Sequence, residues 1–496
     1  MIARPVRPRD PELTRALIVV GLVTLARILA LALARIDLSE DETQYWAWAQ
    51  TLDFGYFSKP PLIAWVIWLT THIAGDTPFG VRLAAPLLHG GTSLVIFAIA
   101  RALYDARTGF WAALTFVTIP AVTLSSGLIS TDAPLVFCWA VALYALVRLL
   151  KAPTLPMTLL LGVALGVGLL AKYAMVYFVL CAGFAALVIP RMRPLLRSRS
   201  VAIAGGIALL IVSPNLLWNA QHAFSTFGHT VANANLGGKL FNPKKLGEFI
   251  GGQFGVFGPI LFGTLLVGVE RQTRAGAIDG RDHAKRLLLS FSLPVLGAAC
   301  IIAIVSRANA NWAAPAYVAA TPLVVYWLRA PGRGWLLTAS LALHATVALV
   351  IPLGMTVPQL ADGLGFSNGL KRVRGWSELG SRIAALSKSE PYTSILTEER
   401  EMMGELLFYA RPRTMPVVMW DWDWRPRNHY ELTMRIGPET GRRVLLVSRV
   451  DQPNYILSRF AYSEPLGSIT IPLDAKRKRT VYLFALEGLK PQEEEP

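Results

Sequence analysis

Apolar runs of spanning or near-spanning length recur at about 16–36, 79–104, 108–130, 133–150, 155–171, 174–190, 200–218, 251–269, 287–305, 313–329 and 335–352. Roughly 20 apolar residues match the hydrocarbon thickness of a bilayer, and in lipid a backbone must satisfy its own hydrogen bonds, so each run is expected to be a helix. The pattern predicts about eleven transmembrane helices. The fifth and sixth are short and are separated only by Lys172-Tyr173. From about Leu353 charges return and the apolar runs shorten. Helix-like stretches (376–387, 398–410) then alternate with strand-like ones (392–397, 444–448, 481–486). The expected architecture is an α-helical polytopic membrane domain over residues 1–352, with outer loops at 37–78 and 219–250. A small mixed α/β domain follows over 353–490, with a disordered tail at 491–496.

Composition strengthens this picture. The 496 residues are 53% hydrophobic and only 16% charged, too few charges to cover two or three soluble domains, so the bilayer must solvate much of the surface. The net charge of +16 would suggest nucleic acid in a soluble protein, but the basic residues cluster in short tracts between apolar runs. With the N-terminus inside, nineteen Lys and Arg fall in inner segments and eight in outer loops and flanks, a positive-inside asymmetry that excludes nucleic acid as the simpler explanation. Dropping one of the two short helices would place the Arg191–Arg199 tract outside. An odd number of spans exports the C-terminal domain. Cys138, Cys181 and Cys300 each lie in an apolar run, which argues against a disulfide or a zinc site. The N-terminal arginines Arg4, Arg7, Arg9 and Arg15 resemble a signal peptide, but the run after them is long enough to span and no small-residue cleavage site follows.

The outer segments hold the candidate chemistry. Ser39-Glu40-Asp41-Glu42 opens the first loop, followed by Tyr45, Trp46 and Trp48. Three consecutive carboxylates beside lipid are expensive unless solvated or used, although Ser39 and Glu42 also have the spacing of a helix capping box. Tyr56-Phe57-Ser58-Lys59-Pro60-Pro61 follows, with the prolines stiffening the backbone after Lys59. Ser130-Thr131-Asp132 forms the next outer turn, where Asp132 could instead be a helix N-cap. Lys172 and Tyr173 lie in apolar sequence, at a helix end or facing a cavity. Arg307, Asn309, Asn311 and Trp312 form a donor-rich outer turn able to hold a sugar or a phosphate, with Trp312 also readable as an interfacial anchor. His222 and His229 read as ordinary loop residues, and Arg425, Arg427, Asn428 and Tyr430 as possible acceptor contacts.

Asp41-Glu42-Thr43-x-Tyr45, then Tyr56-Phe57-x-Lys59-Pro60-Pro61-Leu62, then Asp132 after the third helix, resembles the GT-C glycosyltransferases. The similarity is to the branch with the lipid A aminoarabinose transferase and the protein O-mannosyltransferases. It covers roughly the first 350 residues and is strongest in the first 180. The resemblance implies transfer of a sugar from a polyprenyl monophosphate on the outer leaflet to a lipid (lipid A among them), glycan or protein acceptor. It places Asp41 at the first-loop catalytic aspartate, Lys59 at the lysine that contacts donor phosphate, and Asp132 at the second-loop acidic residue. Gln44 departs from the aminoarabinose transferase, which has arginine there, and so opens the question of donor or acceptor identity.

Acid–base chemistry gives these residues roles. Asp41, Glu42 and Asp132 are the catalytic candidates, because a hydroxyl attacking an anomeric carbon needs a base or an orienting carboxylate. Lys59, Lys172 and Arg307 are candidates for donor phosphate, where a cation stabilises the leaving group. Glu40, Tyr56, Tyr173, Asn309, Asn311 and Trp312 are candidate substrate contacts. A single displacement with inversion is expected. No metal or other cofactor is required, though Glu40, Asp41, Glu42 and Asp132 could bind a divalent cation. The absence of any Asn-x-Ser/Thr sequon disfavours the endoplasmic reticulum, so a bacterial inner membrane with the site and C-terminal domain periplasmic is expected. A secondary transporter is the main rival, and a membrane scaffold a third reading. A transporter would favour acids at the midplane and internal repeats, whereas these acids lie at helix ends on one face and no repeat is visible.

Overall fold

The computed structural model describes residues 10–228, 241–274, 282–365, 367–413, 415–421 and 426–491. Arg4, Arg7, Arg9, His229, Lys239, Arg281, Arg425 and residues 492–496 of the expected tail lie outside the described residues. The chain divides into two compact units. One comprises Met1–Leu33, Lys59–Val66 and Arg82–Pro352; the other Ala34–Ser58, Ile67–Val81 and Leu353–Pro496.

The first unit is helical. Among the described residues six helices are long and apolar enough to cross a membrane: Pro11–Leu33, Pro78–Leu103, Asp132–Lys151, Arg199–Gln221, His283–Val305 and Gly334–Thr356. A seventh is counted if the bent pair Pro243–Val256 and Pro259–Arg271 is one span. Leu62–Ala74, Leu155–Ala171, Tyr173–Val188 and Ala316–Leu328 are shorter apolar helices.

Two of the expected helices are modified for identifiable reasons. The run at 108–130 is broken into Ala106–Thr118 and Pro120–Ser125, because Pro120 pushes Ile119 into extended backbone (φ −48°, ψ 136°). That break strands carbonyls of the last turn, and the buried Arg27 of the first helix takes one of them. Its Nη2 donates to the Val117 carbonyl at 2.5 Å and to Thr123 Oγ1 at 3.0 Å. The run at 251–269 begins earlier, at Pro243, and bends by 117° at Gly258. Gly258 has φ +96°, and a Cβ there would lie 2.4 Å from His344 Nε2, so glycine is required twice over. The two short helices are separate, as expected, with Lys172 in extended conformation between them (φ −164°, ψ 134°).

The second unit holds a five-stranded sheet of order β2-β1-β3-β5-β4. The strands are β1 Ser394–Thr397, β2 Val417–Met419, β3 Arg443–Ser448, β4 Phe460–Pro472 and β5 Lys478–Leu489. β1 pairs parallel with β2 and β3, whereas β5 pairs antiparallel with β3 and β4. β1, β3 and β5 overlap the three strand-like stretches, and the helices Trp376–Leu386 and Arg400–Tyr409 overlap the two helix-like ones. The helix Glu40–Ala49 from the first outer loop belongs to this unit and packs against Arg400–Tyr409. Gly404 permits the close approach: a Cβ there would meet Thr43 Oγ1 at 2.7 Å and Tyr430 Oη at 2.9 Å.

Candidate active site

The predicted residues fall into two groups, one in each unit. In the helical unit, Asp132 is the first residue of its helix, and its carboxylate does not cap that helix. Oδ1 accepts from Lys172 Nζ at 2.7 Å, and Oδ2 accepts from Asn311 Nδ2 at 2.6 Å. Three segments far apart in sequence thus converge on one carboxylate whose side chain is 12% exposed. Each has a local reason to be there. The helix break at Lys172 frees its side chain from an apolar face. Asn311 lies on a turn held by Gln253, whose Nε2 donates to the Ala310 carbonyl at 3.2 Å and whose Oε1 accepts from Tyr317 Oη at 2.6 Å.

Beside Lys172, the Tyr173 hydroxyl donates to Asn215 Oδ1 at 2.7 Å and accepts from Asn219 Nδ2 at 3.2 Å, while its ring stacks on Phe227 at 4.7 Å. Asn215 and Asn219 are fully buried, and the sequence reading missed them. The available signal was two amides one turn apart in an apolar helix, where polar groups are costly and usually partnered. Arg307 and Asn309 are exposed and Trp312 is half-buried. Lys59 is half-buried just ahead of Pro60 and the helix Leu62–Ala74.

In the other unit, Glu42 closes the capping box, its Oε2 accepting from the Ser39 backbone N–H at 2.9 Å. Asp41 points out of the same helix with its side chain 63% exposed. Arg400, on a helix more than 350 residues away, reaches this segment. Its guanidinium pairs with Glu40, donates to Gln44 Oε1, and donates to Asp41 Oδ1 at 3.3 Å. Burial raises the Glu40 carboxyl above its ordinary range; Arg400 opposes the shift and Asp41 adds to it. Arg400 was also missed, because no local pattern in a soluble-looking helix marks it. It brings a guanidinium to Gln44, the position where the sequence departs from the aminoarabinose transferase.

Further along the same helix, Glu405 is 1% exposed, and among the described residues neither of its oxygens has a hydrogen-bond partner. Burial, with Asp37 adding and Arg479 opposing, pushes its carboxyl well above the usual range. Tyr56 is buried, its ring stacked on Trp48 at 4.7 Å and its hydroxyl donating to the carbonyls of Trp48 and Thr51. Asn428 caps the helix His429–Thr433 through the backbone N–H groups of Tyr430 and Glu431. The His222 ring stacks on Trp218 at 4.0 Å. Among the described residues no three His, Cys, Asp or Glu side chains are grouped as a metal site would need.

Several known proteins are similar to this chain. Residues 58–218 match the family described as dolichyl-phosphate-mannose-protein mannosyltransferase. The lipid A galacturonosyltransferase RgtD of Rhizobium johnstonii is 35% identical over 438 residues, which is 87% of this chain and 90% of that protein. An undecaprenyl phosphate-alpha-4-amino-4-deoxy-L-arabinose arabinosyl transferase of Pseudomonas fluorescens is 29% identical over 34% of each chain. The crystal structure of ArnT from Cupriavidus metallidurans bound to undecaprenyl phosphate shares the fold, with TM-score 0.63 and 15% identity over 96% of this chain and 99% of that one.

Apolar helices long enough to span a membrane, in a chain that also folds a small five-stranded sheet, accord with a membrane-embedded glycosyltransferase. The chain belongs to the GT-C glycosyltransferases, in the branch that includes the lipid A aminoarabinose transferases and the protein O-mannosyltransferases.

Proposed function

We propose that the protein transfers a sugar from a polyprenyl monophosphate to a hydroxyl or phosphate of an envelope acceptor, with lipid A the first candidate. The observation that carries this reading is the 35% identity to a lipid A galacturonosyltransferase along 90% of that relative's length. The same relative makes a uronic acid the first sugar to test. We place the reaction on the periplasmic face of a bacterial inner membrane crossed eleven times, with residues 1–352 as the membrane part and 353–490 as the periplasmic domain.

The acceptor oxygen attacks the anomeric carbon as the bond to the phosphate oxygen breaks, and polyprenyl phosphate leaves with the bonding electrons. Asp41 takes or orients the acceptor proton; its exposure leaves it open to a substrate, and Arg400 fixes its direction. Lys59 stabilises the departing phosphate. Lys172 assists: with one N–H given to Asp132, two remain for phosphate oxygens. Asp132, with both oxygens engaged, acts by holding Lys172 and Asn311 in place. Tyr173, Arg307, Asn309, Asn311 and Trp312 contact substrate, with Glu40 and Glu42 shaping the segment that presents Asp41. The step balances without a metal or other cofactor, and one displacement inverts the anomeric centre.

The test is sugar transfer in membranes supplied with polyprenyl-phosphate galacturonic acid and lipid A. Asp41→Asn is expected to lower the rate by about 10²–10⁴-fold, and the product to show the inverted configuration. Unchanged transfer by Asp41→Asn removes it from the mechanism, and a retained configuration removes the single displacement.

A further inference from the structure

Four successive cations, Lys476-Arg477-Lys478-Arg479, run from the turn after β4 into the start of β5. They border a cavity of about 770 Å³, seven of whose ten lining residues are Lys or Arg and only one of which, Glu401, is acidic. Glu401 is already bound by Arg449 at 2.5 Å. Arg477 is turned onto Asp474 at 3.2 Å. Arg479 is buried against the Trp376 ring and donates to the Arg374 and Lys371 carbonyls at 2.8 and 3.2 Å. Four cations remain: Lys371, Arg372, Lys476 and Lys478. All four are exposed, and among the described residues none of them forms an ion pair. Like charges collected around one concavity repel each other and raise the local affinity for an anion.

The surroundings say where that anion comes from. Arg374, two residues beyond Arg372, donates to the Pro358 carbonyl at 2.9 Å and to Asp362 Oδ1 at 2.9 Å. Pro358 is the second residue after the apolar helix Gly334–Thr356. Arg479 on the cavity wall binds the Arg374 carbonyl, so two hydrogen-bonded steps join the cavity to Pro358, two residues past a helix long and apolar enough to span. The cavity is thus tied, within its own unit, to the segment that leaves this helix. Its volume falls within the range of about 300–1,000 Å³ typical of small-ligand sites, enough for more than one phosphate group. An Arg fork and several Lys point charges on separate segments suit a multiply charged phosphate group.

We propose that this cavity binds the phosphate groups of a phosphorylated lipid headgroup at the membrane surface. The proposal stands apart from sugar transfer, since binding is read without donor or turnover. Full-length protein in detergent is titrated with phosphatidic acid, phosphatidylcholine and inorganic pyrophosphate, and occupancy is read by native mass spectrometry. Phosphatidic acid is expected to bind in preference to phosphatidylcholine. Each of two double variants, Lys371→Gln with Arg372→Gln and Lys476→Gln with Lys478→Gln, is expected to weaken that binding about tenfold at an unchanged unfolding temperature. Because the pairs lie on different segments, a folding defect in one leaves the other as the test. Phosphatidic acid binding equally to wild type and both variants overturns the site. Pyrophosphate displacing phosphatidic acid at equal concentration overturns the lipid source and assigns the cavity to soluble polyphosphates.

Discussion

Around Asp132 a carboxylate, an ammonium and an amide meet at 2.6–2.7 Å, whereas around Asp41 an arginine spans three neighbours of which Asp41 is the most exposed. Both arrangements pair opposite charges near a helix start. In the first, Asp132 and Lys172 are largely buried and depend on each other, because an unpaired charge there is costly. In the second, Asp41 is well exposed, so water can stand in for it as a partner of Arg400. The same kind of contact therefore serves as structure in one place and as adjustable aim in the other.

Asp132→Asn is the largest way to break this contrast. It leaves Lys172 without its counter-charge and is expected to cost about 3 kcal/mol of stability and about a hundredfold in transfer, measured by thermal unfolding and by turnover. A cost below about 1 kcal/mol would make the two groups equivalent. Adding Lys172→Met sharpens the comparison: the double variant is expected to return to within about 1 kcal/mol of wild type while remaining inactive. Arg400→Gln is expected to unfold within about 1 kcal/mol of wild type and to lower transfer about tenfold, by a factor that shrinks with added salt.

The smallest effect is a pH slope from Glu405. Its carboxyl is raised in the folded protein, so above the ordinary carboxylate range the folded state holds a proton that the unfolded chain has released. Its contribution is present at low pH and is lost as pH rises through the folded value. Glu405→Gln is expected to flatten the fall in unfolding temperature upward of about pH 5. An unchanged slope would show that Glu405 does not titrate there.

How much of this was legible in the sequence depended on whether the signal was local. Apolar runs located the helices, and Lys172 stood out because an ammonium in lipid needs a reason. Asp132 was legible as a charge at a helix start, but its capping alternative could only be rejected once Lys172 and Asn311 were seen to occupy it. Arg400 was not legible: its partners are more than 350 residues away, and its own helix resembles any soluble one. β4 was missed because Ser463, Glu464, Pro465 and Gly467 are poor strand formers. They are tolerated on an edge strand with a bulge between Pro465 and Gly467. The bend at Gly258 was hidden because a Gly-Pro pair in an apolar run does not announce an angle.

Arg27 sets an order of events during synthesis. Its acceptor on Val117 lies 90 residues downstream. A ribosome adding about 5–20 residues per second needs on the order of ten seconds to make that stretch. Until then the first helix carries a cation whose insertion costs roughly 2.5–3.5 kcal/mol at mid-membrane. The helix ending at Thr118 then offsets that cost by supplying the Val117 carbonyl. Arg27 thus ties together two helices that are not consecutive in the chain.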